Sequence, residues 1–281
     1  MIVTRFAPSP TGRLHLGHAY SAVLGHLRAR ESGGKFLLRI EDLDGARSRP
    51  EFVDGIMEDL HWLGVTWDEP LLVQSQRAPA YEAALQRLRD QGLVYPCFCT
   101  RSDIAAALEA PHGSVVRYPG ICRDLQDDPE RRASTPHSWR LDAEQALTLA
   151  GLPSWEEASG LQFHSSRDDF DDAILSRKDA PAAYHLACVV DDAASGVTLV
   201  TRAADLRSST PIQRLLEMLL GLPEPTYLHH PLVAHADRRR LAKRDRAPTL
   251  AAMRAAGIDG RTTAADLLAG KLPLGFAFVQ A

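Results

Sequence analysis

His15-Leu16-Gly17-His18 places two imidazoles three residues apart with a glycine between them. The segment opens a predicted helix, directly after the strand Ile2-Val3-Thr4-Arg5-Phe6 and the loop Ala7-Pro8-Ser9-Pro10-Thr11-Gly12. A helix N-terminus offers unpaired N–H groups and a positive dipole end, which suit polyphosphate. Gly17 has no Cβ, so a flat base can lie against the backbone there. His15 and His18 can donate hydrogen bonds to phosphate oxygens. The loop before them sits at a strand end, where open α/β sheets place ligands. The plain alternative is a set of ordinary polar residues at a helix start.

Cys97, Cys99 and Cys122 form the second group with chemical potential; Cys188 is remote from them. Met1 to Phe6 shows no basic flank followed by an apolar stretch, so no signal peptide is expected. The cluster therefore reads as metal ligands before it reads as disulfides. Three thiolates are one short of the set that a closed structural zinc takes. His112 and Tyr118 both lie near enough in sequence to complete it, and imidazole is the commoner zinc ligand. Three reduced, buried cysteines are the alternative. Cys188 is expected in a buried strand, where it packs.

These groups need a scaffold. The chain has 281 residues, enough for one large domain or two modest ones. It is 45% hydrophobic and 24% charged, which excludes global disorder and fibrous repeats. No apolar run is long enough for a transmembrane helix. The net charge of −4 argues against a polycationic coat on nucleic acid but allows a local basic face. Apolar residues Leu16, Tyr20, Val23, Leu24 and Leu27 recur at helical spacing until Gly33-Gly34. Lys35 to Ile40 reads as a buried parallel strand, and Pro50 to Leu63 and Ala78 to Gln91 as helices. Strand–helix alternation of this kind predicts an α/β fold with a parallel sheet. From Pro96 to Leu161 prolines and irregular charge mark an insertion. His185 to Asp192 and Val197 to Arg202 read as strands, Pro211 to Leu220 as a helix. The tail beyond Asp237 is basic at first, then helical.

The block from Arg5 to His18 resembles the class I aminoacyl-tRNA synthetases that activate glutamate. Their first ATP signature has the form HIGH; here leucine fills the second position. Their second is KMSKS-like, and Arg240-Leu241-Ala242-Lys243-Arg244 fits it. Taken alone, that stretch would read as a solvated basic surface. The resemblance implies a Rossmann-type parallel sheet with an inserted zinc-bearing α+β segment, a short helical C-terminal part and no anticodon-binding domain. The expected divisions are residues 1–95 and 181–236 for the two catalytic halves, 96–180 for the insertion and 237–281 for the remainder. ATP with Mg2+ would be bound by His15, Gly17, His18 and Lys243, with His15, His18 and Lys243 as the catalytic groups.

A substrate with an α-amino group and a side-chain carboxylate needs a carboxylate for the first and a guanidinium fork for the second. Arg5 and Arg202 are both candidates for the fork, Glu41 for the ammonium partner, and Tyr184 for a closing wall. An Arg5–Glu41 structural ion pair and a merely packed Tyr184 are the alternatives. The resemblance assigns Arg5, Phe6, Ala7, Pro8, Ser9, Glu41, Tyr184 and Arg202 to the glutamate pocket. Asp42 and Asp44 read as surface acids, and Asp191-Asp192 receives no role.

Tyr118-Pro119-Gly120-Ile121-Cys122 after Cys97-Phe98-Cys99 matches the pattern of glutamyl-Q tRNA(Asp) synthetases, which implies Tyr118 as fourth ligand, with His112 kept open. The chain stops soon after Lys243, where glutamyl-tRNA synthetases continue into a helical anticodon-binding region. That too resembles the glutamyl-Q family, whose members place glutamate on the queuosine base in the anticodon of tRNA(Asp). The implied function is ATP-dependent activation of L-glutamate and its transfer to that base, with the anticodon stem-loop as partner. Arg238, Arg239, Arg240, Arg244 and Arg246 would supply the basic track for it. A monomeric, cytoplasmic protein without membrane contact is expected. Charging the 3′ end of tRNA(Glu) and non-catalytic RNA binding are the alternatives.

Overall fold

The computed structural model describes residues 1–100, 102–104, 117–125, 128–239 and 248–280. Its first part is β1 (Val3–Phe6), α1 (Leu16–Glu31), β2 (Lys35–Ile40), α2 (Pro50–Trp62), β3 (Asp68–Val73) and α3 (Ala78–Asp90). The three strands pair in the order β1-β2-β3, all parallel, with Val3 opposite Lys35 and Leu37 opposite Asp68. Parallel neighbours need crossovers, and α1 and α2 supply them. The sequence reading holds no strand between α2 and α3. β3 escapes it because its opening residues, Asp68-Glu69-Pro70, are turn formers by composition. Between α1 and β2 the chain passes so close to β1 that a Cβ on Gly34 would lie 1.8 Å from the Ile2 carbonyl oxygen.

The middle of the chain is built differently. β4 (Val94–Cys97), β5 (Ser138–Leu141) and β8 (Ile174–Ser176) form an antiparallel sheet, and β6 (Ser154–Glu156) pairs with β7 (Gln162–His164). The short helices α4 (Pro129–Ser134) and α5 (Ala143–Ala150) complete it. Parallel character then returns with α6 (Tyr184–Ala194), β9 (Leu199–Ala203), α7 (Thr210–Leu219) and β10 (Thr226–His230), β9 and β10 being parallel. β9 lies along β1: the Thr198 N–H donates to the Val3 carbonyl at 2.8 Å, and the Val3 N–H to Thr198 Oγ1 at 2.9 Å. Last come β11 (Leu232–His235), α8 (Leu250–Ala255), α9 (Gly260–Leu268) and β12 (Phe276–Val279), with β11 and β12 antiparallel.

His185 to Asp192 is helical, not the strand expected. An unbroken apolar run has no period to read, and α6 buries most of its circumference: Leu186, Ala187, Cys188, Val189, Asp191 and Asp192 are all inside. Cys188 therefore packs from a helix. One core gathers Phe6, Leu16, Val23, Phe36, Ile56 and Leu60, together with Val233, Leu250, Met253 and Leu267 from the last part of the chain. A second joins α3, α5, α6 and α7 through Tyr81, Leu88, Leu147, Leu186, Leu215 and Leu216.

Between these cores lies a buried charge cluster that the sequence reading did not assign. Asp192 accepts from Arg5 at two points, Nε to Oδ1 at 2.9 Å and Nη2 to Oδ2 at 3.1 Å. Arg39 Nη1 donates to the same carboxylate. Its neighbour Asp191 points the other way and accepts from Gln74 Nε2, Arg77 Nε and Tyr81 Oη at 2.9, 2.7 and 2.8 Å. Two adjacent acids on one helix thus tie α6 to β1 and β2 on one side and to α3 on the other.

Burial alone would raise the Asp192 carboxyl, but the Arg39 and Arg5 charges outweigh it and hold it well below the usual carboxylate range. A depressed acid contributes stability above its unfolded pKa and loses that contribution as the pH falls through its folded one. The wild-type protein should therefore hold this contribution down to about pH 4 and lose it below. Asp192→Asn leaves two buried guanidiniums short of a counter-charge and should cost about 3–5 kcal/mol in urea unfolding at pH 7. Its stability should also fall less steeply than wild type on acidification. A loss below about 1 kcal/mol, or an unaltered acid limb, would refute this role for the cluster.

Candidate active site

His15 is the N-cap of α1, with φ −131° and ψ 177°. Its Nδ1 accepts the Gly17 N–H at 3.1 Å, and His18 Nδ1 accepts the His15 N–H at 3.2 Å. The two histidines thus form the reciprocal cap usually made by Ser or Thr with Glu. Because each Nδ1 accepts, the neutral rings carry their protons on Nε2. Burial pushes His15 down to about 4, so it is neutral at pH 7. A Cβ on Gly17 would sit 3.0 Å from His15 Cε1, so this glycine also makes room for the cap itself. The cap went unforeseen because His is not among the usual N-cap residues.

α1 opens into a cleft of about 570 Å3 beyond the carboxyl ends of β1, β2, β9 and β10. Arg5, Phe6, Ala7, Pro8 and Ser9 line it from the end of β1 onward, and Glu41 from the end of β2. Tyr184, 37% exposed at the start of α6, and Arg202 on β9 face it from the other half. His15, Gly17 and His18 stand at its α1 end. Every expected glutamate or ATP residue among the described residues therefore lines one cavity. Lys243 lies outside the described residues, with Arg240, Arg244 and Arg246. Ser21, Asp205, His230 and Leu232 to Ala234 also line the cleft and were not anticipated. Ser21 carried a usable signal, since it stands one helical turn after Gly17.

The two arginines are not equivalent. Arg5 gives Nε and Nη2 to Asp192, Nη1 to the Thr201 carbonyl at 3.4 Å, and Nη2 to Cys188 Sγ at 3.8 Å. Four of its five N–H bonds are directed into protein. Arg202 directs three: Nε to His229 Nε2 at 3.1 Å, Nη1 to Gln213 Oε1 at 2.6 Å and Nη2 to Thr210 Oγ1 at 2.7 Å. One N–H remains on each of its terminal nitrogens, which is the fork a carboxylate binds at two points. Glu41 pairs with Arg39, Oε1 to Nη2 at 3.0 Å, and not with Arg5. Burial raises the Glu41 carboxyl despite the nearby Arg39 charge. Asp44 pairs with the exposed Arg47, as a surface acid should.

The cysteine group lies apart from the cleft. The Sγ atoms of Cys97, Cys99 and Cys122 are all within 4.8 Å of one another, and Cys99 and Cys122 are 3.5 Å apart. Tyr118 Oη stands 3.4 Å from both Cys97 and Cys99 Sγ. Thiolates on one tetrahedral zinc are about 3.8 Å apart, given bonds of about 2.3 Å, so this donor set fits the ion. The phenol oxygen also accepts the Cys122 backbone N–H at 3.0 Å, which holds it against the three sulfurs. His112 lies outside the described residues. Among the described residues no helix is long and apolar enough to cross a membrane.

Residues 1–264 match the family described as tRNA synthetases class I (E and Q), catalytic domain. The glutamyl-Q tRNA(Asp) synthetase of Rhodobacter capsulatus is 46% identical over 267 residues, covering 91% of this chain and 96% of the relative. That of Nocardia farcinica is 50% identical over 257 residues, covering 90% and 79%. The glutamate-tRNA synthetase structure from Elizabethkingia anophelis superposes with a TM-score of 0.73 at 28% identity. The match covers 87% of this chain and 53% of that one, so this chain spans about half the synthetase it superposes on. The fold, the cleft and these relatives agree: the chain belongs to the class I tRNA synthetases and, within them, to the glutamyl-Q tRNA(Asp) synthetase family.

Proposed function

We propose that this protein is an ATP-dependent ligase that activates L-glutamate and transfers it to the queuosine base in the anticodon of tRNA(Asp). The observation that carries the reading is the sharing of one cleft by the histidine-capped end of α1 and the open fork of Arg202. A polyphosphate suits the first and a side-chain carboxylate the second. The ammonium group goes to Glu41, where an incoming positive charge favours the carboxylate that burial disfavours.

In the first step an oxygen of the glutamate α-carboxylate attacks the α-phosphorus of ATP, and pyrophosphate leaves with the electrons of the broken P–O bond. The Nε2–H groups of His15 and His18 and the N-terminal dipole of α1 stabilise the charge that develops on phosphate. Lys243 is assigned to the same task from the KMSKS-like segment, and Mg2+ accompanies ATP. In the second step a hydroxyl of the queuosine cyclopentene ring attacks the glutamyl carbonyl, and AMP leaves. Catalysis is chiefly positioning and charge stabilisation. Residues 1–95 and 181–236 make the catalytic halves in this reading, and 96–180 the insertion. Cys97, Cys99, Cys122 and Tyr118 hold one zinc, which serves folding of the insertion and stands outside the reaction.

Activation should appear as ATP–pyrophosphate exchange that depends on glutamate and proceeds without tRNA. Lys243→Ala should slow it by about 10²–10³. Exchange that requires tRNA would remove the claim of an independently complete pocket, and an unchanged rate would take Lys243 out of it.

One zinc per chain should co-purify, and Tyr118→Phe should weaken its retention more than His112→Ala. Chelation should loosen the insertion, followed by proteolysis, before it affects adenylate formation. The opposite ranking of the two variants would give the fourth position to His112.

The transfer step is tested with an isolated anticodon stem-loop. The form bearing queuosine should accept glutamate nearly as well as whole tRNA(Asp), and the form lacking it should not. Glutamate recovered on a 3′-terminal adenosine would overturn the proposed acceptor.

A further inference from the structure

The Arg202 fork is only as good as its aim, and the aim comes from residues behind the cleft. We propose that His229 and Glu157 are positioning residues for Arg202, holding its guanidinium so that the two remaining N–H bonds face the substrate's side-chain carboxylate. The proposal rests on the assignment of Arg202 to that carboxylate.

His229 stands beside Arg202 in the β9–β10 register, and its side chain is fully buried. Glu157, at the end of β6, takes hold of it twice. Oε1 lies 2.5 Å from His229 Nδ1, and Oε2 accepts the His229 backbone N–H at 3.2 Å. A carboxylate at Nδ1 keeps the proton there and leaves the Nε2 lone pair to accept from Arg202 Nε. This is the opposite tautomer to that of His15 and His18. A protonated His229 would set N–H against N–H at this contact. Burial first, and then the Arg202 charge, push His229 well below the ordinary imidazole range and keep it neutral. The Tyr227 ring lies 5.7 Å from the imidazole and within 2° of parallel, which fixes the ring plane. Thr210 Oγ1 accepts from Arg202 Nη2 and stands 3.3 Å from His229 Nε2. Arg202 thus has Nε and both terminal nitrogens held by His229, Gln213 and Thr210, none of which lines the cleft, and one N–H on each terminal nitrogen is left for a ligand.

A structural role alone would make Glu157 an anchor of β6 on β10, next to the Ala158 N–H that donates to the Tyr227 carbonyl at 2.7 Å. Steady-state constants separate the two roles. Pyrophosphate exchange is measured with glutamate and with glutamine, each with and without tRNA(Asp). His229→Leu removes the acceptor, Glu157→Ala removes the anchor, and Glu157→Gln retains an acceptor for Nδ1–H. The first two should raise the glutamate KM roughly ten- to a hundredfold, with kcat and the ATP KM near wild type. Preference for glutamate over glutamine should fall by a similar factor, because a misaimed fork no longer favours the charged side chain. Glu157→Gln should recover only part of the loss, since its amide oxygen can accept from Nδ1–H while its NH2 group opposes the His229 backbone N–H. If His229→Leu does not fold, Glu157→Ala and Thr210→Val carry the same comparison. An unchanged glutamate KM in a folded variant overturns the proposal, as does a loss spread over kcat and both KM values. Wild-type protein without glutamate-dependent exchange under either condition overturns the glutamate reading itself, and this proposal with it.

Discussion

Asp192 is buried between two arginines, and the architecture depends on that contact. Arg5 comes from β1, Arg39 from β2 and the acid from α6, so one carboxylate joins elements far apart in sequence. Removing three charges from water is costly, and only near-complete hydrogen bonding offsets it. The cluster therefore tolerates few geometries. Because Arg5 and Glu41 both line the cleft, the geometry that satisfies Asp192 also sets two of the cleft's walls. Arg5 is the clearest case: its guanidinium is directed mainly inward, which leaves the outward fork to Arg202.

The histidines show how the fold writes chemistry into side chains of one type. In His15 and His18 a backbone N–H occupies Nδ1, so the proton faces away on Nε2. In His229 a carboxylate occupies Nδ1, so the lone pair faces away instead. The first arrangement makes donors for an anion, and the second makes an acceptor for a cation. Neither needs a protonated ring, and burial disfavours protonation of both His15 and His229.

Much of this was legible in the sequence where a period or a local motif exists. α1, β2 and the helices beginning at Pro50 and Ala78 lie within a residue or two of expectation. The residues from Arg5 to Ser9 and the His15–His18 group reach the cleft as local motifs do, through neighbours in sequence. What was lost had no local signature. α6 is buried nearly all round, so its apolar run looks like a strand. Arg5 finds Asp192 and not Glu41, a choice made by packing across almost two hundred residues. Glu157, just after β6, and His229, on β10, belong to no motif or period, and only the fold brings them to Arg202.

β11 supplies Leu232, Val233 and Ala234 to the cleft wall, and its antiparallel partner β12 is Phe276–Val279. Forty residues separate the two strands in the chain. On the ribosome the wall residues emerge well before the strand that pairs with them, at about 5–20 residues per second. For those seconds β11 has an open edge. The cleft wall formed by Leu232 to Ala234 thus gains its antiparallel pairing only once that later strand has been made.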